Sequence, residues 1–323
     1  MKIGLTYDLK SDWMARGLSA EDAAEFDSEE TVEAIANAIR ARGHEVDRIG
    51  NLFALMPRLC AGERWDLVWN FAEGWQGIGR ESQVPCLLEA HDIPFVFSDP
   101  LVCALTLHKA MCKRVVRDLG LPTPRFLVVD SVAQLRDLDL SYPLFAKPLA
   151  EGTSKGVDRN SKIVDADALA QVTARLLDRF GQSVLIEEYL PGREVTVGIV
   201  GTGTAARAVA VLEVVLLAGA DAEVYTQRNK DECESLVQYR LAGGEFAREA
   251  EALALAVWRG IGARDGGRVD LRVDARGALS VIEVNPLPGM HPTHSDLPIM
   301  ATLAGMSFDA LVGAILDSAL SRS

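Results

Sequence analysis

Along the N-terminal third, apolar runs of strand length alternate with helically spaced apolar residues. Lys2 to Tyr7 is a short apolar run that predicts a strand. Residues 10–28 are polar and poorly patterned, and predict a long loop. Asp27-Ser28, followed by Glu29 and Glu30, reads as a helix start, because acids in a first turn complement the helix dipole. Val32, Ile35, Ala36 and Ile39 then keep helical spacing up to Gly43. Glu45 to Ile49, Trp65 to Phe71 and Ile93 to Phe97 predict further strands, and Cys86 to His91 another helix. This alternation predicts a small doubly wound parallel-sheet α/β domain, whose ligands gather at the carboxyl ends of its strands.

The pattern changes after Pro100. A helix carrying His108, Lys109, Lys113 and Arg114 ends near Gly120. Strands follow at Arg125 to Val129, Tyr142 to Pro148 and Val184 to Leu190, and a β-branched run begins at Glu194. Ala208 to Val215 and Glu223 to Tyr225 are strand-like, whereas Thr226 to Tyr239 is polar and charged and reads as a mobile loop. Glu245 to Ile261 predicts an amphipathic helix with Phe246, Ala250, Leu253 and Val257 on one face. Val269, Leu271 and Val273 alternate with Asp270, Arg272 and Asp274, the period of a half-buried strand. Turn residues Asp274 to Gly277 and the run Leu279 to Asn285 complete a hairpin. Leu297 to Ala304 and Phe308 to Ala319 predict packing helices.

Composition narrows the class. The chain has 323 residues, enough for two or three units, with 49% hydrophobic and 24% charged residues, as in a soluble globular protein. A net charge of −13 argues against a nucleic-acid surface. No apolar run reaches the length of a bilayer span, and the start reads as a strand rather than a signal peptide. Cys60, Cys86, Cys103, Cys112 and Cys233 are scattered without metal-like spacing, which fits reduced thiols in a cytoplasmic protein.

Several stretches carry candidate chemistry. On the hairpin, Glu283 and Asn285 share a face, and Asp270 on the partner strand can join them. Two carboxylates and an amide oxygen form a hard-oxygen set suited to Mg²⁺ shared with phosphates; the alternative is an exposed hairpin with solvated acids. After Asn285, the Pro286 to Met290 loop cannot continue a central strand, and Gly289 lets a backbone N–H approach a ligand. Lys147 ends an apolar strand and requires an anionic partner. Glu151-Gly152-Thr153-Ser154-Lys155-Gly156 follows directly and can wrap phosphates with backbone N–H groups, or form a plain hairpin turn. Glu73, Arg80 and Glu81 sit in a Gly-rich loop suited to a small zwitterion, or to a surface loop with ordinary charges. His291 and His294 flank Pro292 and nothing completes a zinc set with them.

Taken together, Arg268-Val-Asp270, Glu283-Val-Asn285, Pro288-Gly289-Met290, His294-Ser295 and Ala304-Gly-Met-Ser-Phe308 resemble the C-terminal motifs of the ATP-grasp superfamily, within it the D-alanine–D-alanine ligases. The resemblance implies an ATP-grasp fold, α+β in its C-terminal part, behind the parallel-sheet domain. The expected division is an N-terminal α/β domain at 1–104, a central subdomain at 105–185 and a catalytic subdomain at 186–323. It implies an ATP-dependent carboxylate–amine ligase that forms a dipeptide through an acyl phosphate, as in peptidoglycan biosynthesis, and acts as a homodimer on amino-acid substrates. ATP would be held by Lys109, Lys147, Glu151, Gly152, Thr153, Ser154, Glu187, Glu188, Leu190, Glu194 and Lys230. Asp270, Glu283 and Asn285 would bind two Mg²⁺ ions, with Mn²⁺ an alternative. Arg268 and the Gly289 N–H would stabilise the oxyanion, and Glu29, Glu73, Arg80, Glu81, Ser295 and Asp296 would bind substrate. The chain departs from the family pattern at Arg80-Glu81-Ser82, at Asp231, where the family has tyrosine, and at Asp296, where it has leucine. Two other readings are a ligase joining a different pair in specialised metabolism, and a non-catalytic nucleotide-binding regulator.

Overall fold

The computed structural model describes residues 1–217 and 236–322. Its first unit is a parallel sheet of β1 (Lys2–Thr6), β2 (Glu45–Gly50), β3 (Leu67–Asn70) and β4 (Phe95–Val96), in the order β2-β1-β3-β4. Helices α1 (Lys10–Ala15), α2 (Glu29–Ala41), α3 (Leu52–Cys60) and α4 (Gln83–Ala90) accompany it. The Ser28 side chain caps α2 by accepting from the Thr31 N–H, and Val32, Ile35, Ala36 and Ile39 are fully buried. The expected loop over 10–28 is in part the short helix α1. Its segment is held by aromatic packing rather than by a periodic stripe: Trp13 stacks on Phe26 at 5.5 Å and on Trp75 at 4.2 Å between ring centroids. The sequence pattern also does not announce α3, which Asn51 caps and which contains Pro57.

Two more helices, α5 (Pro100–Leu107) and α6 (Lys109–Asp118), lead into the second sheet. His108, not a continuous helix, joins them: its side chain caps α6 by accepting from the Met111 N–H. This sheet is antiparallel, with β5 (Phe126–Val129), β6 (Leu144–Pro148), β7 (Lys162–Ile163) and β8 (Val184–Glu188) in the order β5-β8-β6-β7. Helix α7 (Ala166–Phe180) covers it, starting at the Asp165 cap and ending at Gly181 in the left-handed region. The expected boundary at 185 runs through β8. Sheet membership changes in the turn between Glu188 and Glu194.

The third sheet contains β9 (Glu194–Val200), β10 (Arg207–Leu216), β11 (Val237–Leu241), β12 (Gly266–Val273) and β13 (Leu279–Asn285), in the order β11-β10-β9-β12-β13. The end of the stretch read as a loop, Val237 to Tyr239, is therefore strand, paired with β10. Glu223 to Tyr225 and most of the expected loop lie outside the described residues. Helix α8 (Gly244–Gly260) covers one face through Ala250, Ala254, Val257 and Trp258, which pack against Val195, Val197, Ile199, Val269 and Leu271. Helices α9 (Asp296–Leu303) and α10 (Phe308–Leu320) share a core with the first sheet, where Leu311, Ile315 and Leu316 pack with Ile3, Leu5 and Ile35. Among the described residues no single helix is long and apolar enough to cross a membrane.

Strands β12 and β13 pair Arg268 with Asn285, Val269 with Val284 and Asp270 with Glu283, but Leu271 with Val281. Ile282 is the extra residue of a β-bulge. Opposed residues share a face, so the bulge lets both Val281 and Val284 reach the α8 core while Glu283 turns the other way.

One buried carboxylate fastens the units. Asp265 is fully buried and accepts from the Phe97 N–H at 2.8 Å, the Thr202 hydroxyl at 3.1 Å, the Ser318 hydroxyl at 2.9 Å and Arg322 Nε at 2.9 Å. Asp265→Ala is expected to leave these donors and the guanidinium unmatched and to cost about 3 kcal/mol of stability, read by urea denaturation. A loss within the error of the extrapolation would show that the clamp contributes nothing.

Candidate active site

The cavity that the hairpin faces lies between β6 and β8 on one side and β9, β12 and β13 on the other. The pleat decides which residues reach it. Val195 and Val197 of β9 and Val269 and Leu271 of β12 go to the α8 core, so Glu194, Thr196, Arg268, Asp270 and Arg272 face the cavity.

Lys147 ends β6, buried, with its Nζ 2.9 Å from Glu187 of β8. Glu187 meets a second buried lysine, Lys113 of α6, at 2.8 Å. Burial pushes the Glu187 carboxyl up, but Lys113 and Lys147 outweigh it and bring it down to about 2. Burial wins at Lys113, which is lowered; at Lys147 pairing with Glu187 overcomes burial and raises it. The Glu187 side chain is thus a holder of lysines.

The loop after β6 curls over this end. Thr153 and Ser154 both have positive φ, at 49° and 59°, a conformation that L-residues adopt at a cost and that here points the loop into the cavity. The loop is tied to the N-terminal unit by Glu25, a residue the sequence reading passed over. Glu25 accepts from the Gly152 N–H at 2.6 Å and from Arg80 at 2.9 Å, and lies 3.6 Å from Lys155, which also pairs with Glu151 at 3.0 Å. Burial pushes Glu25 up, but Arg80 and Lys155 prevail and hold it below the usual carboxylate range. Arg80 also donates to the Ala150 carbonyl at 2.9 Å.

Glu188, Leu190 and Glu194 line the opposite end. Arg272 Nη1 lies 3.0 Å from Glu194 Oε2, and Arg272 Nη2 donates to the Tyr189 hydroxyl at 3.2 Å. At the hairpin, the Thr196 hydroxyl donates to Asp270 at 3.0 Å and the Asn285 amide donates to Asp270 at 2.9 Å. Lys109 Nζ lies 3.6 Å from Glu283 and donates to the Glu151 carbonyl. Because Asn285 uses its NH₂ on Asp270, its carbonyl oxygen joins the two carboxylates as a hard donor. The set fits Mg²⁺ or Mn²⁺. Among the described residues no group of three or more His, Cys, Asp or Glu side chains is placed to hold a metal alone.

Glu81 and Glu283 line a smaller cavity with Lys109 and Asn285. Burial pushes Glu81 up to about 7 despite Arg80. Burial and the neighbouring Glu81 push Glu73 well above its ordinary value. Burial, with Asp8 adding to it, pushes Asp27 up to about 8. Glu29 is not brought to this group: its side chain is 61% exposed and pairs with Arg48 at 2.6 Å. As the first residue of α2 it points away from the acids, and Glu25, four positions earlier, takes the inward place. Ser295 accepts from the His291 N–H at 2.9 Å and stands beside Gly289, where an added Cβ would lie 2.8 Å from its hydroxyl. Neither Gly289 nor Ser295 is among the residues lining the cavities. Asp296 does line the cavity that the hairpin faces, with Oδ2 2.6 Å from Arg268 Nη1. Lys230 and Asp231 lie outside the described residues.

A family model described as "D-ala D-ala ligase C-terminus" matches residues 115–317. The chain belongs to the D-alanine–D-alanine ligase family and is an ATP-grasp carboxylate–amine ligase. Two curated relatives agree across most of the chain. The uncharacterised protein y4sG of Sinorhizobium fredii is 32% identical over 307 residues, covering 90% of this chain and 87% of that protein. The D-alanine–D-alanine ligase of Xanthomonas axonopodis pv. citri is 32% identical over 294 residues, covering 88% of each. Among solved structures, the D-alanine–D-alanine ligase of Bacillus anthracis superposes with a TM-score of 0.75 over 100% of this chain and 98% of that one, at 22% identity, which supports the fold. Beyond the family's motifs, this ligase shows Lys113, Glu25, Thr196 and Arg272 at the site. Thr196 and Arg272 alternate with buried positions on their strands, a signal present in the sequence; Lys113 and Glu25 act through partners distant in the chain and leave no local pattern.

The raised Asp27 has a pH consequence. Unfolded, it ionises near its ordinary 3.8, and folded near 8. Between those values the folded chain holds a proton that the unfolded chain has released, so this group lowers stability as pH rises through the window. Asp27→Asn is expected to raise the melting temperature relative to the parent chain by an amount that grows from pH 3.8 to about 8 and vanishes below it. A pH-independent difference would refute the assignment.

Proposed function

We propose that the protein activates the carboxylate of a small amino acid as an acyl phosphate and joins it to an amine, in the manner of D-alanine–D-alanine ligation. The observation that carries this reading is the convergence on one cavity of the Lys147 and Thr153 to Lys155 end with the Asp270 and Glu283 end. ATP supplies the phosphoryl group that makes the carboxylate a competent electrophile. Lys109, Lys147 and Lys155 neutralise its phosphate oxygens, and Glu187 keeps the Lys147 ammonium aimed into the cavity. Loop 151–156 covers the phosphates, with Thr153, Ser154 and Lys155 lining the cavity at that end. Glu188 to Leu190 and Glu194 hold the base and ribose. Asp270, Glu283 and Asn285 would hold the divalent cations, and these would supply further charge neutralisation at the phosphates. Arg268 stands beside them, within reach of the reacting carbonyl oxygen. In the second half-reaction the acceptor nitrogen forms the C–N bond, the C–O bond to phosphate breaks, and the nitrogen's proton leaves with the phosphate.

Between a D-Ala–D-Ala product and a different acceptor, one observation favours the second: Asp296 already pairs with Arg268. The exposed or buried state of the four described cysteines, all of them free, agrees with a reducing, cytoplasmic setting.

The reading is tested by Mg²⁺-dependent phosphate release from ATP with D-alanine and a panel of other amino acids and amines, with products identified by mass spectrometry. Release that requires an added carboxylate and yields an amide is expected, and Asp270→Asn should reduce kcat by about 100-fold or more. ATP binding without release on any combination would instead indicate a non-catalytic nucleotide binder.

A further inference from the structure

We infer that Lys113 is a positioning residue for the nucleotide phosphates: it stays outside the cavity and offsets the charge of Glu187, so that Lys147 keeps its attraction for an anion. The inference rests on the ATP site of the reading above and adds to it a residue that touches no ligand.

The surroundings of Lys147 lead to it. Lys147 lines the cavity, yet its Nζ lies 2.9 Å from Glu187 Oε1. One lysine and one carboxylate alone make a neutral pair, which attracts a phosphate less than a lone ammonium does. Lys113 changes that sum. Its Nζ lies 2.8 Å from Oε2, the other oxygen of the same carboxylate. Two ammonium groups and one carboxylate leave one positive charge, and of the two lysines it is Lys147 that lines the cavity. The side chains of Lys113, Glu187 and Lys147 are 2%, 4% and 7% exposed, so solvent screens their charges weakly. Burial pushes the Glu187 carboxyl up, but Lys113 and then Lys147 bring it down to about 2, so it stays ionised between them.

Lys113 is held where it is from its other side. Its Nζ donates to the Thr123 hydroxyl at 3.1 Å, and that hydroxyl donates to the Val281 carbonyl at 2.8 Å. Val281 belongs to β13, directly before the bulge, and its N–H donates to the Pro122 carbonyl at 2.8 Å. The segment after α6 therefore clasps the hairpin strand and fixes the lysine behind Glu187. Lys109, four positions earlier on the same helix face, does line the cavity, whereas Lys113 ends on Glu187 and Thr123.

The test reads the phosphates apart from the base. Affinities for ADP and for adenosine are measured with Mg²⁺ by calorimetry, and their ratio is taken within each preparation, so that a general loss of structure does not mimic the effect. Lys113→Gln removes the charge but keeps a donor for Glu187 and Thr123; Lys113→Met removes both. Each is expected to lower the preference for ADP by about tenfold, and either one that folds carries the comparison. Glu187→Gln, and the double variant with Lys113→Gln, again leave the Lys147 charge without an opposing carboxylate. Both are expected to keep the ratio within about threefold of the parent chain, a non-additive pattern that loss of packing does not produce. A neutral Lys113 variant with the parent's ratio overturns the inference. So does a fall in Glu187→Gln or in the double variant as large as in Lys113→Gln, since Lys147 then depends on being aimed by the carboxylate and not on having its charge offset. A parent chain that binds ADP no better than adenosine overturns the phosphate site itself, and the inference with it.

Discussion

A carboxylate enclosed between two lysines is the constraint on which the nucleotide end of this molecule depends. Lys113, Glu187 and Lys147 come from α6, β8 and β6, and all three are buried. Two ammonium groups this close are tolerable only because Glu187 stays ionised between them, and Glu187 stays ionised only because both are present. The trio carries a net positive charge at the wall of a cavity in a protein whose formal net charge is −13. That local inversion of sign gives an anionic ligand a place to bind on an otherwise acidic chain.

The remaining charges are arranged so that each sheet depends on a neighbour. Glu25, from a segment beside the first sheet, holds the backbone and lysine of the loop that follows the second. Asp265, just before β12 of the third sheet, holds the end of the first sheet's last strand and the C-terminal helix. Both carboxylates are buried and fully engaged, so the cleft is framed by ionic contacts between units rather than by a hinge of bare backbone. The acids Asp27, Glu73 and Glu81 contrast with them: burial raises all three because positive partners are too few.

What was legible in the sequence followed from local periodicity. The Asp270 hairpin, the α8 stripe and the α2 cap come from spacings of two or about four residues, and the structure shows each of them. Lys147 announced its need for an anion because it ends an apolar strand, and the anion is Glu187. Elements held by long-range contacts were not legible. Helix α1 depends on Trp75, some sixty residues away, and Glu25 on Arg80 and Gly152. The family resemblance implied a substrate role for Glu29, yet as the first residue of a helix it is directed outward to Arg48. The bulge at Ile282 was equally hidden, since nothing in Val281-Ile-Glu-Val284 marks which residue is the extra one.

That bulge decides which residue β13 can lose. Without Ile282, Glu283 opposite Asp270 and Val281 opposite Leu271 become successive rungs of a regular ladder, and both keep their present faces. Loss of Val284 has the opposite effect: with Asn285 held opposite Arg268, Glu283 comes opposite Val269 and its carboxylate turns into the wall beneath α8. A descendant of this sequence can therefore shed the bulge and keep the hairpin acids where they are, whereas one that lost the residue between Glu283 and Asn285 would have a different reaction centre on the same fold.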